Sequence, residues 1–383
     1  MRKVILTVFG VTAALSAGGA GAQPASSQRP LVFIGQDLGS IRGFHHSQCC
    51  GPVDGATAYI SFYSLLSPEQ NFGGLGVDAK LKPLKTEADW GAGPSSAWLA
   101  ACEIQSANLA IGVSLTEDAA AGGLKKIAEG KFDPEIRHLA AFVRKVGRPV
   151  FLRVGYEFDG VWNKGYQDHS AYVAAWRRIV DVVRSEGAAN AVFVWQTSAS
   201  PIDDVLDGHH DAIENWYPGD AYVDWMGLSW FLSPDERGPA VAAGRVIPTQ
   251  RELADELLNF ARSRGKPVMI AELSPQGYDL EAGTVADISP IWDGVSGQGE
   301  QARTADQIWS DWFSPLFQYL RANKDAVRAI AYINTNWDKQ AMWGPPYSSG
   351  YWGDTRLQAN PAIAARWRAA IDDWRATEPG VAD

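Results

Sequence analysis

Short apolar runs of strand length alternate along the chain with longer segments in which apolar residues recur every three or four positions. The runs are Leu31–Gln36, Ala56–Phe62, Leu109–Leu115, Pro149–Tyr156, Ala191–Gln196, Val223–Trp230, Pro267–Ala271 and Ala329–Asn334. Near-continuous apolar character over such lengths is the mark of parallel strands buried on both faces, with helices as the crossovers between them. Eight such units predict an α/β fold that closes as a (β/α)8 TIM barrel. An open doubly wound sheet is the competing arrangement, but neither G-x-G-x-x-G nor a P-loop follows the first run, so its phosphate-binding turn is missing.

The segments between the runs carry helix signals. Asp133-Pro134 reads as an N-cap with proline at the first helical position, opening a helix through Ile136, Leu139, Ala140 and Val143 that Gly147 closes. After the fourth run, Tyr172, Trp176, Ile179, Val180 and Val183 share one helical face. Thr249 with Glu252 forms a capping box ahead of Leu253, Leu257 and Phe260, and Ile363, Trp367, Ile371 and Trp374 make a core stripe near the chain end.

Met1-Arg2-Lys3, an apolar stretch from Val4 to Ala17 and Ala20-Gly21-Ala22 together read as a signal peptide over residues 1–22, with the mature chain starting near Gln23. The apolar stretch is shorter than the roughly 20 residues that span a bilayer. The expectation is a secreted or periplasmic protein, not inserted in the membrane after cleavage, with residues 23–383 forming one barrel domain. The formal charge of −10 becomes −12 when Arg2 and Lys3 leave, which argues against nucleic acid as a partner. An uncharged polymer suits it better, and so does the aromatic balance of 16 Trp against 14 Phe, since Trp offers a broad flat face with a polar edge on which a sugar ring stacks.

The three cysteines allow at most one bridge, expected from Cys49 or Cys50 to Cys102, with one thiol left over. They and the His45-His46 pair lack the spacing of a structural zinc site, so neither metal nor cofactor is expected.

In a barrel, chemistry sits at the carboxyl ends of the strands. Two glutamates stand there, Glu157 after the fourth run and Glu272 after the seventh. A carboxylate at the end of an apolar strand is costly to desolvate unless it is paired or used. The plain structural alternatives are an ion pair of Glu157 with Arg153 and a cap or strand-end pair for Glu272. As a pair across one mouth they match the need of a retaining glycosidase for an acid/base and a nucleophile about 5–5.5 Å apart, and Arg153 is the candidate cation that keeps the nucleophile ionised. Trp162, Trp195, Trp230 and Trp337 at the rim are candidates for sugar stacking, and Asp37, Tyr156, Asp159, Asn163 and Gln196 for contacts to substrate.

Three stretches, Arg153-Val-Gly-Tyr-Glu157-Phe-Asp-Gly160-Val-Trp162-Asn163, Trp216 to Trp230, and Gly265-Lys-Pro-Val-Met-Ile-Ala-Glu272, resemble glycoside hydrolase family 26, which includes β-mannanases. The resemblance runs from about residue 130 to 370 and includes Trp352-Gly-Asp-Thr-Arg356. It implies a retaining (β/α)8 glycosidase with acid/base on Glu157 and nucleophile on Glu272. This chain has Tyr156 where the family's mannanases have His before the acid/base, and Leu273-Ser274 where they have Phe-Gly. The expected function is therefore a retaining endo-β-glycanase on β-mannan, β-glucan or a bacterial exopolysaccharide. The alternatives are an exo-acting enzyme of the same clan and a non-catalytic sugar-binding barrel.

Overall fold

The structure, a computed structural model, describes residues 29–376 apart from 67–73, 86, 90, 105–106, 117–120, 236–240, 243–244, 287–299 and 349. The expected signal peptide lies outside the described residues. Eight parallel strands close into one barrel: β1 Leu31–Ile34, β2 Gly55–Ser61, β3 Asn108–Ser114, β4 Val150–Val154, β5 Ala191–Thr197, β6 Trp225–Trp230, β7 Val268–Leu273 and β8 Val327–Tyr332. Each pairs with its sequence neighbours, and β1 pairs with β8 to complete the ring. The eight expected runs are the eight barrel strands, shifted at their ends by at most two residues.

Strand residues divide by parity, as a period of two requires. Phe33, Ala110, Phe151, Val194, Met269, Ala271, Ala329 and Ala331 fill the barrel interior, whereas Val32, Ile34, Leu152, Trp195, Leu228 and Trp230 pack outward beneath the helices. The interior is crowded at its base by Phe33, Phe151 and Trp225, whose rings meet edge to face at 5.2 and 5.4 Å. Small residues keep room nearer the mouth. A Cβ on Gly112 would lie 2.7 Å from the Tyr59 ring and 3.0 Å from the Arg153 guanidinium.

The helices carry the caps that their sequences encode, with one correction. Thr249 and Glu252 form the expected reciprocal box at the start of Gln250–Ser263, and Gly147 ends Asp133–Val146 with φ +71°. Asp133, however, is the first helical residue and Phe132 the cap; the Asp133 carboxylate instead takes two bonds from Arg178 of the next helix, which a bidentate guanidinium holds more firmly than a cap does. Leu253 and Leu257 are buried, whereas Phe260 is only partly so. Tyr172, Trp176, Ile179, Val180 and Val183 are buried on one face of His169–Ser185, as are Ile363, Trp367, Ile371 and Trp374 on Pro361–Arg375.

The cysteine expectation is also corrected. Cys49 bonds to its neighbour Cys50, and Cys102 is a free, exposed thiol on Ala97–Glu103. No helix among the described residues is long and apolar enough to cross a membrane.

Candidate active site

Two local departures from regular structure aim the two glutamates. At the end of β4, Gly155 and Glu157 both adopt left-handed backbone, with φ +51° and +53°. Gly155 is required there, because a Cβ would lie 2.8 Å from the Tyr172 ring. Glu157 is a non-glycine in that region, which costs about 1 kcal/mol and persists only where the surroundings hold it. Asn163 does the holding: its amide nitrogen donates to the carbonyls of Glu157 (2.7 Å) and Tyr156 (3.3 Å), while its oxygen accepts from the Thr116 hydroxyl at 2.9 Å.

Glu272 arrives by a bulge. On β7 the pairing with β6 slips between Ile270 and Glu272, so that Ile270 lies beside Leu228 but Glu272 beside Ser229. Ala271 faces the interior and Leu273 the helices. The slip therefore lets Glu272 point inward too, against the parity of its strand.

Arg153, fully buried, binds Glu272. Its Nη1 donates to Glu272 Oε1 at 2.7 Å and to Gln196 Oε1 at 3.1 Å, and its guanidinium lies against the rings of Tyr59 and Tyr156, 4.7 and 5.3 Å from their centres, the two rings themselves meeting edge to face at 5.5 Å. The ion pair is thus with Glu272 and not with Glu157. Because an arginine can only donate, Gln196 must present its oxygen to Arg153 and its nitrogen to the other side. That nitrogen donates to Ser229 Oγ (3.1 Å) and Glu272 Oε1 (3.3 Å), and Ser229 Oγ in turn lies 2.7 Å from Glu157 Oε1. The two carboxylates are therefore joined through Ser229 and Gln196, and the remaining oxygen of Glu157, Oε2, accepts from the Trp162 indole at 2.9 Å.

The electrostatic consequence is asymmetric. Among the described residues no cation pairs with Glu157; burial first and the charge of Glu272 second push its carboxyl up to about 8, against the smaller opposing effect of the Ser229 and Trp162 bonds. Glu272 has the guanidinium. One carboxyl is thus set to hold a proton at neutral pH beside another that is paired as an anion, the division of labour that acid and nucleophile require.

Both open on a cavity of about 530 Å³, in the range of small-molecule sites. Of the candidate substrate contacts, Tyr156, Trp162, Asn163 and Trp337 line it; so do Gln36, Tyr59, Phe231, Trp343 and Trp352, which were not among them. Trp337, Trp343 and Trp352 form one cluster with centroids 4.9–5.3 Å apart, and Phe231 meets Trp352 at 5.0 Å. Among the described residues that line the cavity, Glu157 and Glu272 are the only ionisable groups besides the tyrosines.

Five expected contacts lie elsewhere. Trp195 and Trp230 are fully buried on the outer face of the barrel, where strand parity sends them: Trp195 stacks 4.3 Å from Phe158 and donates to the Trp216 carbonyl, and Trp230 packs 4.9 Å from Tyr319. Asp37 caps Leu38–Ser47 through Ser40 and accepts from Thr335 and Gln340. Asp159 turns behind the cavity to Thr197 and the Ser198 amide. Gln196 is fully buried and reaches Glu272, Arg153 and Ser229 rather than the cavity. Ser229 is the functional side chain that was missed; it shares the inward parity of Trp225 on β6, and that was the available signal.

Residues 120–241 match the family model described as glycosyl hydrolase family 26. A β-1,3-xylanase, TXYA, of a Vibrio species is 33% identical over 344 residues, covering 90% of this chain and 65% of the relative. A β-1,3-xylanase of an Alcaligenes species is 31% identical over 344 residues, with 90% and 63% covered. The chain thus spans somewhat less than two thirds of these relatives. Among solved structures, a Bacillus subtilis mannanase superposes with a TM-score of 0.52 at 12% identity, over 91% of this chain and 88% of that one. A β-mannanase of Bacteroides ovatus gives 0.51 at 13%, over 94% and 96%. These two share the fold.

Proposed function

The chain belongs to glycosyl hydrolase family 26, and from that premise we propose that it is a retaining endo-β-glycanase acting on β-1,3-linked xylan, with Glu157 as acid/base and Glu272 as nucleophile. The observation that carries the roles is the asymmetry of the pair: the carboxyl without a cation is pushed toward its protonated form, and the carboxylate bound to Arg153 is its partner across one cavity. In the first step the proton of Glu157 passes to the glycosidic oxygen as Glu272 attacks the anomeric carbon, and the bond to the departing sugar breaks. In the second, Glu157, now anionic, takes a proton from a water that displaces Glu272, returning the anomeric carbon to its β configuration.

The choice of xylan rests on the names of the two relatives, and the cavity is compatible with it. Its wall is aromatic and its described lining offers no Lys, Arg or His to a uronic acid. The basic start and the Ala20-Gly21-Ala22 pattern support a secreted or periplasmic enzyme whose residues 23–383 form one catalytic domain.

Incubating the mature protein with β-1,3-xylan, β-1,4-xylan, β-mannan, β-glucan and bacterial exopolysaccharides, and following the anomeric proton of the first products by NMR, tests the proposal. Internal cleavage of β-1,3-xylan with initial β products is expected. Initial α products would overturn the retaining scheme, and cleavage of another polymer alone would overturn the substrate.

A further inference from the structure

The two oxygens of Glu157 face different surroundings. Oε1 is turned to Ser229, which is 1% exposed on the barrel wall; Oε2 is turned to Trp162, which lines the cavity and is 39% exposed. A proton delivered to a bound sugar has to leave from the cavity side. An indole N–H, however, can only donate. While Trp162 is in place Oε2 is an acceptor, so the acid's proton is favoured on Oε1, where the Ser229 hydroxyl, which donates to the ionised carboxylate, turns to accept it on the side away from the cavity.

The indole is seated deliberately. It lies across Gly160, where a Cβ would fall 2.5 Å from Cε2, 2.7 Å from Cζ2 and 2.9 Å from Nε1. Gly160 is not in the left-handed region, so the missing side chain serves the indole and not the backbone. The loop beneath is fixed by Asp203, which accepts from the Val161 amide at 2.7 Å, and by the Asn163 bonds described above. Among the described residues no hydrogen bond but the one to Glu157 fixes the ring itself, which is 39% exposed.

We propose that Trp162 is a latch on the acid/base: in the free enzyme its indole N–H occupies the cavity-facing oxygen of Glu157, and an entering sugar displaces it, freeing that oxygen to carry the proton to the glycosidic bond. The inference rests on the reading of Glu157 as acid/base. The other ionisable groups that face Glu157 are Glu272 from β7, Asp159 and Tyr156 from its own turn and Tyr59 from β2; the two midpoint comparisons below leave all of them in place, and only the binding experiment removes one, Glu272.

A donor to the carboxylate favours its ionised form, so removing it strengthens proton binding. In the free enzyme, 13C NMR of the Glu157 carboxyl is expected to show a titration midpoint about one pH unit higher in Trp162→Phe, which keeps the ring but not the N–H. Gly160→Ala, which keeps the N–H but pushes the ring aside, is expected to do the same. In Glu272→Ala, the 15N-labelled Trp162 indole should follow the titration of Glu157 in the free protein and cease to follow it when β-1,3-linked xylotetraose is bound. An unshifted midpoint in Trp162→Phe, or an indole that still follows Glu157 in the complex, overturns the latch. If no β-linked xylo-, manno- or gluco-oligosaccharide binds, it is the functional reading that fails, and the latch with it.

Discussion

Replacing Arg153 by Met isolates the interaction that holds the centre of the site. The side chain is fully buried, and its partner Glu272 is 7% exposed, so the substitution leaves a carboxylate in the barrel with the Gln196 amide as its only donor among the described residues. Breaking a buried pair from one side costs about 3–5 kcal/mol, most of it the cost of the orphaned charge and not the net worth of the pair. Removing both charges should therefore be far milder than removing one. Chemical denaturation of Arg153→Met, followed by tryptophan fluorescence, is expected to show that loss with an unchanged denaturant dependence, and Arg153→Met/Glu272→Leu to recover most of it. If the double variant is as unstable as the single one, the loss comes from the Tyr59 and Tyr156 packing around the guanidinium, and the ion-pair argument is refuted.

The aromatic residues divide into two groups that mutation separates. Trp195→Ala and Trp230→Ala should each cost about 3–5 kcal/mol of stability by denaturation, whereas Trp337→Ala should leave a folded protein whose oligosaccharide affinity, by calorimetry, falls by about 1–3 kcal/mol. Burial first, and the neighbouring charge of Asp159 second, push Asp203 up to about 8, as burial and Glu272 push Glu157. Both bind a proton in the folded state that the unfolded chain has already lost above about pH 4.5, so between there and about pH 8 their contribution to stability falls as pH rises. Denaturation across that window should show the decline, and Asp203→Asn, which retains an acceptor for the Val161 amide, should flatten it.

The barrel was legible because parallel strands buried on both faces read as continuous apolar runs, and the glutamates because they end such runs. What the runs did not convey was direction. Trp195 and Trp230 sit one residue from Gln196 and Ser229, and one residue is the difference between the helix side and the cavity. Parity would have sorted these four, but parity alone would have turned Glu272 outward: the bulge after Ile270 is a property of strand pairing that no local pattern records. Asp37 was misread although its signal was present, since Ser40 three residues on completes a capping box. The aromatic cluster of Trp337, Trp343 and Trp352 depends on loops that meet only in three dimensions.

The most direct test of the central claim is to trap the covalent intermediate. An activated 2-deoxy-2-fluoro β-xyloside or its β-1,3-linked disaccharide slows the second step more than the first, so a glycosyl group should accumulate on the enzyme. Peptide mass spectrometry is expected to find it on Glu272, in wild type and in Glu157→Ala alike. A label on Glu157 or elsewhere, or hydrolysis with inversion and no label, would contradict the assignment.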